Sequence, residues 1–107
     1  MSLYHVAGDE GEDPRSIVIA AIETGAAGIL ADHGNLPDRF FDLSTRYAGE
    51  MLHELSKYGI ALAVVVPDVA VHSQLFQEFA AEANTRREIQ LVTDRKAAEE
   101  WLKAVTE

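Results

Sequence analysis

The chain is a single acidic domain of 107 residues, 48% of them hydrophobic, with a formal net charge of −9 at pH 7 and no cysteine. That composition excludes a disordered chain and a disulfide-stapled secreted fold, and it favours a reducing, cytoplasmic location. Nucleic acids and anionic membranes need a basic face, which the short basic pair Arg86 and Arg87 cannot supply, so neither is expected as a partner.

A short strand and a helix open the predicted fold. Residues 4–7 suit a strand, which ends in an acidic run rich in turn residues. Asp13 followed by Pro14 is typical of a helix start, and Gly25 is expected just beyond the end of that helix. The β-branched residues of this segment would also suit a strand.

The centre of the chain predicts a strand, a loop and the best-defined helix. Residues 28–32 are short and apolar, as in a buried strand, and residues 33–38 contain the turn residues of a loop. Asp42 is expected to cap a helix that runs to Tyr58, because apolar residues recur there at helical spacing and Gly59 follows as a stop.

The last part of the chain predicts two further pairs of strand and helix. Residues 60–66 are continuously apolar, as in a central strand covered on both faces, and residues 89–92 suit a fourth strand. A helix is expected over residues 73–85, and Asp94 is expected to cap the last helix. The inward-facing residues predicted for the first of these helices are Leu75, Phe76, Phe79, Ala80 and Ala83.

Strands and helices therefore alternate along the chain. Alternation with short connections predicts one α/β domain over residues 1–107, with about four mostly parallel strands and four helices. The longest apolar run, residues 60–67, is far too short to span a membrane, and acidic residues near the N-terminus do not suit a signal peptide.

Ligands of parallel sheets bind beyond the carboxyl ends of the strands, so polar residues that follow each predicted strand are candidates for a site. The same residues are the ordinary N-caps of the helices that come next, which is the alternative interpretation. The candidates are Asp32, His33, Asp42, Ser44, Thr45, Asp68, His72, Thr93 and Asp94.

Two pairs of these candidates suit a divalent metal or a small molecule. Asp32 with His33, and Asp68 with His72, would supply carboxylate and imidazole ligands if their strands were neighbours. Their spacing matches no known metal motif, and no nucleophile elbow or phosphate-binding glycine loop accompanies them. No catalytic set, metal or cofactor is therefore expected from motifs.

Ser44 and Thr45 fall in the first turn of the helix predicted from Asp42. Because a helix N-terminus favours a phosphate group, their position indicates a phosphorylation switch, although Asp42 would repel the phosphate. The alternative is that both hydroxyls satisfy backbone donors. Arg46 and Glu50 are spaced to pair on the exposed side of the same helix.

Phe40 and Phe41 stand immediately before that helix. Adjacent side chains point in different directions, so if one enters the core the other is free to anchor a partner or a second copy of the chain. The alternative is that the preceding loop buries both rings.

Two segments, residues 40–65 and 75–102, resemble a family of small bacterial proteins catalogued only as a domain of unknown function. The family has no established activity. The most specific points of the resemblance are Phe40, Phe41, Asp42, Leu43, Thr45, Ala48, Gly49, Glu50, Glu82 and Asn84.

The arrangement in turn resembles the STAS domains, named for sulfate transporters and anti-sigma factor antagonists. In those domains a phosphorylatable serine or threonine opens the helix after a strand and loop, the place that Ser44 and Thr45 occupy here. The chain lacks both glycines of the typical Asp-Ser-Ser-Gly-Leu-Gly run. The resemblance implies a non-enzymatic regulatory or protein-interaction module that acts without a cofactor.

Such a module would work through a protein partner or self-association. The alternative is a domain, either a binding protein or an enzyme, that holds a small molecule or divalent metal at the two strand-end pairs. The surface expected for the interaction module consists of Phe40, Phe41, Asp42, Ser44, Thr45, Asp68 and His72.

Overall fold

The computed structural model describes residues 2–6 and 13–106. It confirms the predicted α/β class, because four parallel strands form one sheet in which neighbours follow chain order. The end of the predicted first strand, residue 7, and the acidic run at residues 8–12 lie outside the described residues. The strands are β1 (Leu3–His5), β2 (Gly28–Asp32), β3 (Ala61–Val65) and β4 (Ile89–Val92).

Four helices of ten or twelve residues and one short helix follow the strands in the described part of the chain. They are α1 (Pro14–Glu23), α2 (Asp38–Phe41), α3 (Tyr47–Tyr58), α4 (Gln74–Ala83) and α5 (Arg95–Thr106). Single 3-10 turns occupy the connections at His33–Asn35, Leu43–Thr45 and Val69–Val71. None of the described helices is long and apolar enough to cross a membrane.

The start and end of α1 confirm the helix predicted from local signals. The Ser16 N–H donates to the Asp13 carboxylate at 2.8 Å, and Gly25 follows the helix with a φ of 73°. A positive φ is readily adopted only by glycine, so this residue lets the chain turn back toward β2. Ile17 and Val18 are fully buried and join α1 to the core.

The two faces of β3 belong to different cores. All five of its residues are buried, and because side chains alternate along a strand, Leu62 and Val64 point into the larger core on the side of α1, α3 and α4. On the opposite face, Ala63 packs in a smaller core with Ala98 and Leu102 of α5. The sheet is therefore covered on both sides.

Gly28 determines how closely α5 approaches the sheet. A Cβ at this position would lie 3.0 Å from Leu102 Cδ2, closer than ordinary van der Waals contact, and 3.4 Å from Leu3 Cδ2. The missing side chain leaves the space that Leu102, which is fully buried, occupies.

The prediction that a helix begins directly after Asp42 is wrong. Arg46 adopts a left-handed conformation with a φ of 65°, and its N–H donates to the Leu43 carbonyl, which closes a 3-10 turn. The helix α3 therefore begins at Tyr47, and Ser44 lies in the preceding turn. The predicted stop is confirmed, since Gly59 follows α3 with a φ of 65°.

The inward position predicted for Leu75 is also wrong, because 66% of this residue is exposed. Helix α4 begins with Ser73 as its N-cap and buries Phe76, Ala80 and Ala83, which are spaced at i, i+4 and i+7. Leu75 lies one residue before that stripe and so points away from the core.

Candidate functional site

The structure brings His33 and His72 together at the carboxyl ends of β2 and β3. Both imidazoles line a cavity of about 550 Å³ and an adjoining one of about 200 Å³. Asp38 and Phe41 line the larger of the two, and Asp68 lines the smaller. This edge is where parallel sheets place their ligands, as expected from the sequence.

An aromatic cluster forms one wall of this edge. The ring of Phe41 stacks on His72 with centroids 4.4 Å apart, and Phe76 lies 5.1 Å from Phe41 and 5.2 Å from His72. Phe40 is fully buried, whereas Phe41 is half-buried. One ring enters the core, as expected, but the other is held against His72 rather than left free as an anchor.

Hydrogen bonds fix the backbone that carries His72. The carbonyl of His72 accepts from Gln77 Nε2 at 2.9 Å, and its N–H donates to the Val69 carbonyl at 3.1 Å. The Asp68 carboxylate accepts from the Ala70 N–H at 3.0 Å, which starts the 3-10 turn Val69–Val71. Asp68 thus performs the capping role that the alternative interpretation assigned to it.

Three large apolar side chains are exposed in the segment that leads from β3 into the start of α4. The exposed fraction is 74% for Val71, 66% for Leu75 and 36% for Val69. Val71 also lines the smaller cavity. The sequence analysis missed this feature, although valines in a short connection between the turn at Pro67 and the helix cap at Ser73 have no periodic element to bury them.

Asp42 and Ser44 are bonded to each other rather than to a helix end. The Ser44 hydroxyl donates to Asp42 Oδ1 at 2.7 Å, and the Ser44 N–H donates to the same oxygen at 3.1 Å. Because hydrogen bonds to a carboxylate favour its charged form, the Ser44 hydroxyl and then its N–H hold the pKa of Asp42 below the ordinary value.

Thr45 ties together the segments on either side of it. Its hydroxyl lies 2.7 Å from the carbonyl oxygens of both Arg39 and Asp42, and it accepts from the Tyr47 N–H at 3.3 Å. The hydroxyl therefore satisfies a backbone donor at the start of α3, which is the alternative that the sequence left open. Neither Ser44 nor Thr45 lines the two edge cavities.

The comparison with protein families adds a classification to this geometry. The family model described as a domain of unknown function, DUF4180, matches residues 7–102. The chain belongs to this family. The match confirms the resemblance to a domain of unknown function, and it spans most of the sequence. Among curated proteins and solved structures, no match to the chain was found.

In this DUF4180 domain the remaining strand-end candidates lie apart from the two cavities. Asp32 is exposed and donates its N–H to Asn35 Oδ1 at 3.2 Å, while Asp94 caps α5 by accepting from the Ala97 N–H at 2.8 Å. Thr93 is exposed. Across residues 2–6 and 13–106, no three histidine or acidic side chains are placed to hold a metal ion.

A further cavity, which the sequence analysis did not identify, lies between the start of α1 and one side of α3. Its volume is about 640 Å³, and it shares no lining residue with the two edge cavities. Arg15 of α1 and Arg46, Glu50 and Glu54 on the α3 side contribute charged side chains to it. The sequence gives only a weak indication of this cavity, because charged residues at these spacings are also typical of an ordinary exposed helix face.

Proposed function

We propose that the protein is a non-enzymatic interaction module that binds a protein partner at the carboxyl edge of its sheet. The carboxyl-edge surface consists of the exposed residues Val69, Val71 and Leu75 together with the two cavities that share His33 and His72. The observation that carries the proposal is the exposure of three large apolar side chains, one of which, Val71, lines preformed concave space.

Exposed apolar side chains are ordinary when scattered, but a group of them beside a cavity is typical of an interaction surface. Val71 and Leu75 leave 74% and 66% of their surface in water. Full burial of such a side chain contributes roughly 1.5–3 kcal/mol, so a partner that covers both gains enough free energy to offset part of the cost of association.

The wall of the surface consists of side chains that already pack on one another without a partner. Phe41, His72 and Phe76 contact one another, and Gln77 fixes the His72 carbonyl. A surface that does not reorganise loses little conformational entropy on binding, which supports recognition at this edge.

Charge indicates the chemistry of the partner. Asp38 and Asp68 line the cavities, and the whole chain carries a net charge of −9. Arg39 also lines the larger cavity, but its guanidinium lies over the ring of Tyr47, 5.2 Å from the centroid. A segment with apolar side chains flanked by lysine or arginine would cover Val71 and Leu75 while its basic groups face the two aspartates. The proposed occupant is such a segment of a different protein.

The proposed role is regulatory and cytoplasmic. The resemblance to STAS domains supports it, because those domains act through protein partners, and the absence of cysteine suits a reducing compartment. Phosphorylation of Thr45 is the proposed control. It would disrupt the hydrogen bonds of this hydroxyl to the Arg39 and Asp42 carbonyls, and Arg39 belongs to the short helix that carries Phe41.

The test is an affinity purification from native lysate with quantitative mass spectrometry, in which wild type is compared with the double variant Val71→Glu, Leu75→Glu. Ile22→Glu is the matched control, since Ile22 is an apolar residue 40% exposed on α1. A partner recovered by wild type and control, but reduced at least about tenfold by the double variant, supports the proposal. Its contact segment should be apolar with basic flanks.

Recovery of no protein, or equal recovery by the double variant, would contradict the proposal. A thermal-shift screen addresses the competing interpretation, which is a small-molecule or metal site at Asp32, His33, Asp68 and His72. A melting temperature raised by saturating Zn²⁺, with the rise abolished by His33→Ala and His72→Ala, would replace the interaction module with a metal site.

A further inference from the structure

The cavity between α1 and α3, called the interhelix cavity here, carries charges of both signs on its wall. We infer that it binds a small zwitterion with a free carboxylate and a free ammonium group, that is, a free amino acid or a short peptide. Its volume of about 640 Å³ falls within the range of small-molecule sites, roughly 300–1,000 Å³. The site is independent of the carboxyl-edge surface.

The cationic side of the cavity comes from Arg15 and Arg46. The predicted ion pair between Arg46 and Glu50 is wrong. Among the described residues, the ion pair present joins Arg95 and Glu99. Arg15 lies close enough to Asp13 for its charge to help lower the pKa of that carboxyl, but neither arginine forms an ion pair with a described residue. Two such guanidinium groups lining one cavity suit a carboxylate, which arginine binds through paired N–H donors.

Arg46 occupies its position at a conformational cost. Its φ of 65° lies in the left-handed region, where a residue with a Cβ is less stable by roughly 1–2 kcal/mol. Glycine would avoid that cost, and strained backbone positions occur preferentially at binding sites. The arginine side chain that this strained position carries lines the cavity.

The anionic side comes from Glu50 and Glu54, one turn apart on α3. Glu54 Oε2 is shielded from water and has no hydrogen-bond partner among the described residues. A buried acceptor left unbonded costs roughly 1–3 kcal/mol, and an N–H donor of a ligand would remove that cost once the carboxylate turns this oxygen out of its shielded position. The terminal torsion of glutamate is soft, so either carboxylate oxygen can turn toward the cavity.

Gly49 leaves the cavity wider than a residue with a side chain would. It lies within α3, where glycine is less stable than alanine by roughly 0.5–1 kcal/mol, yet a Cβ built on it would meet nothing within 4 Å. Packing against the described residues therefore does not require a glycine here. Its missing side chain leaves space in the cavity that it lines together with Arg46 and Glu50.

The combination of charges selects the class of ligand. A simple anion would be repelled by Glu50 and Glu54, and a simple cation by Arg15 and Arg46. The carboxylate of Asp13, also on the wall, already accepts from the Ser16 N–H. A zwitterion places its carboxylate near the two arginines and its ammonium near the two glutamates, so that both charges are compensated.

The test uses the full chain labelled with ¹⁵N and a panel of free amino acids and dipeptides, each added at millimolar concentration. Amide shifts over residues 43–54 are expected for at least one member. Two matched probes remove one charge each: the N-acetyl derivative lacks the ammonium, and the carboxamide lacks the carboxylate. Each should bind at least about tenfold more weakly than the parent zwitterion. Whether the free amino acid or the dipeptide binds more tightly identifies the source of the ligand.

Two variants separate binding from folding. Arg46→Gly suits the positive φ, so its melting temperature should equal or exceed that of wild type while affinity falls at least about tenfold. Glu54→Gln keeps the shape of the side chain and should weaken binding of the ammonium group. Lys96→Ala, at an exposed position on α5, is the control and should bind as wild type.

Three results would overturn the inference. The first is a panel in which no amino acid or dipeptide shifts amides of residues 43–54. The second is equal affinity for the N-acetyl derivative and the parent. The third is a folded Arg46→Gly variant that binds as tightly as wild type. None of these results bears on partner recovery at the carboxyl-edge surface, so the two proposals fail separately.

Discussion

The imidazole of His72 lies flat against the ring of Phe41, with centroids 4.4 Å apart and planes within 8° of parallel. The contact joins the short helix α2 to the turn that precedes α4, two segments that are distant in sequence. Phe40, the neighbour of Phe41, points instead into the core and is fully buried. Adjacent phenylalanines therefore serve different purposes, one in stability and one in the shape of the carboxyl edge.

Phe40 and Phe41 should respond differently to truncation. Phe40→Ala removes a fully buried ring and is expected to lower the free energy of unfolding by roughly 3–5 kcal/mol. Phe41→Ala removes a half-buried ring and its stacking contact with His72. The expected loss of unfolding free energy is roughly 1–2 kcal/mol, but the loss of partner recovery should be larger than for Phe40→Ala. Urea unfolding followed by circular dichroism measures both values. Equal losses would mean that Phe41 belongs to the core rather than to the edge.

The hydroxyl of Thr45 should contribute more to stability than that of Ser44. Thr45→Val keeps the shape of the side chain but removes the bonds to Arg39, Asp42 and Tyr47, with an expected loss of roughly 0.5–1.5 kcal/mol. Ser44→Ala removes an exposed contact to Asp42 alone and should cost less. Chemical denaturation of the two variants side by side decides the order.

If phosphorylation of Thr45 controls the carboxyl edge, Thr45→Glu should change the amount of partner recovered, whereas Thr45→Val should change it less. The physical reason is that a negative charge is repelled by Asp42 and displaces the carbonyl of Arg39. Equal recovery by wild type and Thr45→Glu removes the phosphorylation step from the proposal without affecting the interaction surface.

Two glycines at opposite ends of α3 should respond in opposite directions to alanine. Gly49→Ala is expected to raise the free energy of unfolding by roughly 0.5–1 kcal/mol, because the added Cβ meets no atom within 4 Å and alanine favours a helix. Gly59→Ala should lower it by roughly 1–2 kcal/mol, since a φ of 65° disfavours a Cβ. Thermal unfolding of both variants provides the measurement, and a loss at Gly49 would show that something fills the space beside it.

Asn84 protects the edge strand β4. Its amide donates to the Leu91 carbonyl at 3.2 Å and accepts from the Leu91 N–H at 2.8 Å, so it pairs with the strand as a further strand would. Asn84→Asp keeps the size but loses the donor and places a carboxylate against a carbonyl, with an expected loss of roughly 1–3 kcal/mol. Faster hydrogen exchange of the Leu91 amide should accompany the loss; unchanged exchange would contradict this role.

Stability should decline at acid pH partly because of Asp13. The Ser16 N–H, and then the Ser16 side chain, hold the pKa of Asp13 below its ordinary value of 3.8. A carboxylate with a lowered folded-state pKa stabilises the fold above the unfolded-state value, and this contribution is lost as pH falls through the folded-state pKa. Asp13→Asn cannot titrate and should reduce the loss of stability below pH 3.8, as measured by urea midpoints across that range. An unchanged pH profile would contradict the assignment.

Elements with strong local signals were predictable. Strand β2 was predicted with the bounds it has, and α1 begins at the Asp13 and Pro14 signal and ends before Gly25. These signals are local because a cap, a proline at the first helical position and a glycine at the end act on adjacent residues. The continuously apolar composition of β3 also predicted correctly that this strand is buried on both faces.

The start of α3 and the position of Leu75 were not predictable in the same way. A helix from Asp42 and a 3-10 turn that ends at Arg46 both use Asp42 as a cap, so the local signal is the same for each. The contacts of Phe40 with Tyr47, whose ring centroids are 6.4 Å apart, belong to the tertiary structure and favour the interrupted form. Hydrophobic periodicity alone could not show whether Leu75 faces the core. The direction of this side chain depends on the residue at which α4 begins.

The sequence by itself determined the α/β class, the parallel sheet and the edge at which a site would form, because hydrophobic periodicity and capping residues are local properties of the chain. Only the tertiary structure decided which side chains meet at that edge. Strand order places His33 beside His72, and packing turns Phe41 toward His72 while leaving Val71 and Leu75 in water. The interhelix cavity likewise arises from the packing of α1 against α3, which no local pattern specifies.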